Sequence, residues 1–291
     1  MTLPVLSGLA EIAPNYDGFI LDLWGVIHDG RTAYPGVIDA LEHLGALGKP
    51  VVMLSNAPRR AWSLVHQMAA IGIPRGLYGG VMSSGEAVHR ELARRSDPWF
   101  AELGRRCYHL GAESDLNLFE GLDLELVSAV AEAEFVVNSG PDHLAASVEE
   151  YQPVLERMAA RHLPMICANP DIIVIHQGRA QICAGALAHF YETLGGQVRS
   201  RGKPDPAIYA DCLELLRLTD RRRVLAVGDG LATDVTGAFR AGIDCLFCTG
   251  GIHAAEIGAT YGVRPDAARV AAVIARHQAP TPVAAIGGFV W

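Results

Sequence analysis

The stretch Phe19-Ile20-Leu21-Asp22-Leu23 decides the fold. Its bulky apolar residues mark a strand buried on both faces, as strands of parallel sheets are. Only Asp22 breaks the run, at the strand's end. A charge at such a place is paired, solvated in a cleft or bound to metal, and open parallel sheets bind ligands beyond the carboxyl ends of their strands. Taken alone, Asp22 is equally an aspartate that caps a turn. Outward from it, residues 35–47 place Val37, Ile38, Leu41, Leu44 and Leu47 near helical spacing. Residues 50–54 form a second buried-strand candidate, and Ser55-Asn56-Ala57-Pro58 a loop. Trp62, Val65, Met68 and Ala69 then give the next helix an apolar stripe, with Gly72 just past it. This βαβα opening predicts a parallel sheet covered by helices.

The same alternation returns at the far end. A helix is expected over 206–218 with Pro206 at its start, then a strand at 223–227 and a polar loop at 228–233. A short helix at 235–241, closed by Gly242, and a strand at 245–248 follow. Between the two ends lies a self-contained α/β stretch, with strands expected at 106–110, 135–138 and 164–167 and a long helix near 183–194. The expected architecture is α/β: one sheet domain made of residues 1–82 and 202–291, with a second domain, 83–201, inserted between them.

Composition narrows the function. The chain has 291 residues, 50% apolar and 19% charged, which excludes disordered, collagenous and coiled-coil chains. Its net charge of −8, without a basic run of five or more, argues against a nucleic-acid or anionic-membrane partner. No apolar stretch is long enough for a membrane helix, and the first residues lack a signal peptide's basic start and apolar run, so a cytoplasmic location is the expectation. Six cysteines are too few for a disulfide scaffold. The Cys245/Cys248 spacing suits zinc but lacks a second pair, so reduced core thiols are expected.

Four strand-end loops carry chemistry-bearing residues. Asp22 is the first. Ser55 with Asn56 is the second, either an anion site at a helix start or a helix cap. The third is Gly202-Lys203-Pro204-Asp205-Pro206, where Lys203 is held in a rigid loop, although a lone lysine is usually surface. The fourth is Gly228-Asp229-Gly230-Leu231-Ala232-Thr233-Asp234, whose paired carboxylates suit Mg²⁺, Thr233 and Asp234 being alternatively helix caps. Together they supply a nucleophile, a phosphate donor, a cation and a metal site, the parts of a phosphoryl-transfer centre.

In order and spacing these motifs resemble the haloacid dehalogenase superfamily over almost the whole chain. The branch is similar to class IIA, the large-cap group with pyridoxal phosphatase and nitrophenyl-phosphatase-type enzymes. Its marks are Asp22 with Gly25-Val26 and Gly30, Pro35-Gly36, Ser55-Asn56, Ser83-Ser84-Gly85-Glu86 and Asn169-Pro170-Asp171. Gly185-Ala186-Leu187, Gly202-Lys203-Pro204, Gly228-Asp229, Thr233-Asp234-Val235 and Thr249-Gly250-Gly251 complete them. The resemblance implies a Rossmann-like core with an inserted α/β cap that closes over the site and sets leaving-group specificity. It implies that Asp22 is the nucleophile, forming an aspartyl-phosphate, and a Mg²⁺ ligand, with the backbone carbonyl of Trp24 also on the metal. Ser55, helped by the Asn56 N–H, matches the phosphate donor, and Lys203 the neutralising lysine. Asp229 matches a metal ligand, and Asp234 a carboxylate supporting the metal.

One position departs from the pattern. The superfamily's phosphatases mostly carry a second aspartate two residues after the nucleophile, as general acid and base; here Trp24 stands there, as in a subgroup of class IIA. Indole neither donates a labile proton nor deprotonates water, and such a group is worth about 10²–10⁴ in rate. His28 and Asp29 are the candidate substitutes, His28 being otherwise a hydrogen-bonded loop histidine. The function expected is a Mg²⁺-dependent phosphoric-monoester hydrolase acting on a small phosphorylated metabolite. The alternatives are a phosphotransferase using the same intermediate and a non-catalytic phosphate-ligand binder. Asn138, Asp142, Asn169, Asp171 and His176 of the insertion are candidate cleft residues or solvated loop residues, and a homodimer is expected from similar proteins.

Overall fold

The computed structural model describes residues 3–176 and 179–291, the His176 side chain excepted. The chain opens with β1 (Val5–Leu6), β2 (Gly18–Asp22), α1 (Val37–Ala46), β3 (Val51–Ser55), α2 (Ala61–Ala70) and β4 (Gly80–Ser83). Every residue of β2 and β3 is buried, as strands covered on both faces require. There follow α3 (Ser84–Arg94), α4 (Pro98–Ala101), β5 (Arg106–Leu110), β6 (Glu125–Val127), β7 (Phe135–Asn138), α5 (Val148–Ala160) and β8 (Met165–Cys167). Next come β9 (Ile173–His176), β10 (Arg179–Ile182), α6 (Ala184–Thr193) and β11 (Val198–Ser200). The chain ends through α7 (Pro206–Leu216), β12 (Val224–Gly228), α8 (Thr236–Ala241), β13 (Asp244–Cys248), α9 (Ala254–Ile257), α10 (Ala267–Arg276) and β14 (Ala284–Ile286).

These elements form two compact units. The first takes residues up to Ser55, Trp62–Met82 and Lys203–Trp291. Its sheet runs β1-β14-β13-β12-β2-β3-β4, parallel in each pair from β1 to β3. Sequence patterning does not foresee β1 and β14: strands of two and three residues carry too little periodicity to read.

The second unit takes Ser83–Gly202 together with Asn56–Ala61, a segment that the sequence reading leaves in the two-ended domain. Its parallel sheet runs β11-β8-β7-β5-β6, and β9 and β10 form a separate antiparallel hairpin. The short segment docks because Gly85 has no side chain: a Cβ there would lie 2.4 Å from the Arg59 nitrogen. Arg60 closes the contact, its Nε donating to Glu86 at 2.8 Å.

Among the described residues, no helix is long and apolar enough to cross a membrane. All six cysteines are buried and free. Burial pushes the Cys245 and Cys248 thiols up, so both stand as protonated thiols in the core.

Candidate active site

The register of the first unit's sheet lines up three strand ends. Asp22 of β2 lies beside Leu54 of β3, and Leu21 beside Val227 of β12. Asp22, Ser55 and, one residue beyond β12, Asp229 therefore come to the same carboxyl edge, and all three are buried. The loop before α7 brings in Lys203. Pro206 opens that helix, the Asp205 carboxylate accepts from the Ala207 N–H at 3.0 Å, and the Lys203–Pro204 peptide is cis.

Lys203, only 3% exposed, is the hub of the cluster. Its Nζ donates to Asp22 Oδ1 in a short contact and to Asp234 Oδ1 at 2.8 Å. The other Asp234 oxygen accepts from the Gly230 N–H at 3.1 Å, inside the π-helical turn Leu231–Val235. Asp234 thus faces the lysine with one oxygen and holds the N–H at the start of its own helical turn with the other. Burial pushes the Asp22 carboxyl well above the usual carboxylate range; Lys203 pulls it down, while Asp234 and Asp229 push it up.

Asp22, Asp229 and Asp234 offer carboxylate oxygens that all lie within 4.8 Å of one another. Oxygens sharing one octahedral Mg²⁺ stand roughly 3–4 Å apart, so this donor set fits a hard divalent cation after small side-chain adjustments. Its charge fits too, because three buried carboxylates cluster where Lys203 pairs with Asp22 and Asp234.

Two further features of Asp229 escape sequence patterning. The Ile252 N–H donates to its Oδ2 at 2.6 Å. Gly25 and Gly251 wall it in, since a Cβ at either would stand 2.1 or 1.9 Å from that oxygen. The glycines are visible as glycines in the sequence, but their shared neighbour is not.

The loop after β2 explains Trp24 and its companions. A Cβ on Gly30 would touch the indole at 2.3 Å, and His28 meets the ring edge-on at 5.7 Å. His28 is buried, its Nδ1 accepts from the Gly30 N–H at 3.0 Å, and burial lowers its pKa to about 4 despite Asp29. It is therefore a neutral imidazole at neutral pH. The exposed Asp29 turns its Oδ1 to the N–H groups of Arg31 and Thr32, both at 2.8 Å, which commits it to the turn.

The residues singled out in the second unit engage one another or their own loops. Asn56 donates through Nδ2 to Asp171 at 2.8 Å. The buried Asn138 donates to the Ala184 carbonyl at 3.0 Å, Asp142 accepts from the Tyr151 hydroxyl, and Asn169 accepts from the Asp171 N–H at 3.1 Å. The His176 side chain lies outside the described residues.

Comparison with known proteins follows the same residues. A family model described as haloacid dehalogenase-like hydrolase matches residues 19–125, and a second HAD-hydrolase-like model matches 200–275. The first match takes in Asp22 and Ser55, the second Lys203, Asp229 and Asp234. Human chronophin is 25% identical over 267 residues, 88% of each chain. A 4-nitrophenylphosphatase of Schizosaccharomyces pombe is 25% identical over 77% of this chain and 80% of its own. The solved structure of a haloacid dehalogenase-like hydrolase from Brucella suis 1330 superposes with a TM-score of 0.83 and 35% identity. That likeness covers 97% of this chain and 99% of the other, and so close a match along both lengths makes this chain a member of the haloacid dehalogenase-like hydrolase family.

Proposed function

We propose that the protein is a Mg²⁺-dependent phosphatase of small phosphorylated metabolites, working through an aspartyl-phosphate on Asp22. The observation that carries the reading is the buried cluster at the sheet edge, in which Lys203 joins Asp22 to Asp234 with Asp229 alongside. The phosphatase name of the fission-yeast relative supports the reaction class.

In this reading one oxygen of Asp22 attacks phosphorus in line, the ester P–O bond breaks, and the leaving alkoxide takes a proton from water. Water then attacks the same phosphorus, returning the Asp22 carboxylate and inorganic phosphate. Lys203 favours the ionised form of the buried carboxylate against the pull of burial and balances the incoming phosphate. The Ser55 hydroxyl donates to a phosphoryl oxygen. Asp22, Asp229 and the Trp24 carbonyl would hold Mg²⁺, with Asp234 supporting from behind. When bound, the ion draws charge from the phosphoryl oxygens and holds the group against the nucleophile.

The test is p-nitrophenyl phosphate turnover with Mg²⁺, together with intact mass after acid quench. Asp22→Asn is expected to lower turnover by about 10³-fold or more, and to lose a phosphate-sized mass increment seen in the wild type. A variant that keeps turnover removes Asp22 as nucleophile. A folded wild type inert toward a panel of phosphate monoesters removes the phosphatase reading.

A further inference from the structure

We propose that His253, Glu256 and His277 form a binding site for a zinc-type transition-metal ion, distinct from the carboxylate cluster. His253 precedes the short helix α9, Glu256 lies in it, and His277 caps the end of α10. None of the three has a part in the chemistry above.

The geometry points to a metal. Glu256 Oε2 stands 3.3 Å from His253 Nδ1 and 2.9 Å from His277 Nε2, and the three ligand atoms lie within 4.8 Å of one another. A tetrahedral Zn²⁺ with bonds of about 2.0–2.1 Å places neighbouring ligand atoms about 3.3 Å apart. The imidazole rings are 4.6 Å apart at 69°, so their nitrogens converge on the shared carboxylate without stacking.

Protonation suits coordination as well. Burial lowers His253, which favours the neutral imidazole a metal needs. Hydrogen bonding from His277 holds Glu256 well down, so it is a carboxylate. Arg276 Nη1 takes its other oxygen at 2.6 Å and fixes the orientation of the carboxylate from outside the site. The side chains of His253, Glu256 and His277 are 14%, 26% and 38% exposed, open enough for a water as fourth ligand.

Coordination through His253 Nδ1 moves its proton to Nε2, which now accepts from the Leu231 N–H at 3.4 Å. That bond is long and its loss is a small cost. Imidazole donors favour Zn²⁺, Cu²⁺ or Ni²⁺ over Mg²⁺, so the two centres select different ions.

The experiment uses the full chain in Mg²⁺ sufficient to saturate the carboxylate cluster. Zn²⁺ is titrated against a chromophoric chelator, and Cu²⁺ is followed by electron paramagnetic resonance. Wild type is expected to take up one Zn²⁺, and its Cu²⁺ spectrum to show coupling to imidazole nitrogen. His277→Ala should weaken uptake by about 10–100-fold and lose that coupling. His277→Gln, which can still hydrogen-bond Glu256, should do the same at an unchanged metal-free unfolding temperature, which separates ligand loss from misfolding. Absent Zn²⁺ uptake by wild type, or equal uptake by wild type and His277→Gln, overturns the proposal and leaves the cluster as an ion-pair network tying α9 to α10.

Discussion

Trp24 sits two residues beyond the proposed nucleophile, where its indole packs on Gly30 and meets His28 edge-on. Neither neighbour is poised as a proton donor at neutral pH: Asp29 is bound into its turn, and burial holds His28 in the neutral form, a weak base. Trp24→Asp is therefore expected to raise turnover of alkyl phosphates, by up to about 10²-fold. Aryl phosphates should gain less, because a phenolate departs without much help. Paired kcat/KM values on one alkyl and one aryl substrate check this, with thermal unfolding to register lost indole packing; equal gains on both, or none, would sink it. His28 makes a separate prediction. Its pKa falls from 6.5 in the unfolded chain to about 4 in the fold, so its contribution is complete above about pH 6.5 and is lost as pH falls toward 4. The interval from 6.5 to about 4 is worth about 3 kcal/mol. Urea unfolding of His28→Gln should accordingly lose less stability than wild type between about pH 7 and pH 4. A variant as acid-sensitive as wild type would show that His28 does not titrate on unfolding.

At the scale of elements, the turn leaving β2 must approach Asp229 closely, and Gly25 is what permits it. Gly25 has φ +86°, and a Cβ there would stand 2.1 Å from the Asp229 carboxylate. Gly48, in the turn after α1, has φ +67° with nothing within 4 Å of its Cβ position. Gly48→Ala therefore pays only the left-handed backbone strain, about 1–2 kcal/mol. Gly25→Ala carries that strain and also displaces a carboxylate. We expect both variants to lose similar stability from the backbone, but only Gly25→Ala to need at least about tenfold more Mg²⁺ for half-maximal turnover, a displaced ligand being worth about a decade in affinity. A Gly25→Ala enzyme with unchanged Mg²⁺ dependence would mean that Asp229 moves aside freely.

Across the whole molecule the central fact is charge assembled from distant sequence. Lys203 and Asp22 are 181 positions apart, yet both are buried in one cluster with two more carboxylates. Without metal, three negative groups share one ammonium, so removing one should relieve repulsion. Asp229→Asn is thus expected to raise the unfolding temperature of the metal-free protein while abolishing its response to Mg²⁺. If wild type binds the proposed Mg²⁺, about a hundredfold excess over Kd is expected to contribute about 2.7 kcal/mol, a rise of about 5–10 °C for a chain of this size. Calorimetry with and without Mg²⁺ decides this. A shift that survives Asp229→Asn would place the ion elsewhere.

Local patterning suffices for the parallel sheet, because strands buried on both faces must be apolar throughout, as 18–22 and 51–55 are apart from their last residues. Those last residues, Asp22 and Ser55, stood out for the same reason: a polar group at the end of such a run is conspicuous. It also placed α7 and α8 to within two residues, since Pro206 and Gly242 punctuate them locally. Which distant residues meet is a matter of tertiary packing alone. Lys203 reaches Asp22 and Asp234, the Ile252 N–H reaches Asp229, and His277 reaches Glu256 across contacts that no local periodicity records. Asn56–Ala61 likewise pack with the second unit because Gly85 leaves room for the backbone of Arg59. Periodicity reports which face of an element is buried. The partner on that face is set by long-range packing, where a missing Cβ or a single backbone N–H settles the geometry.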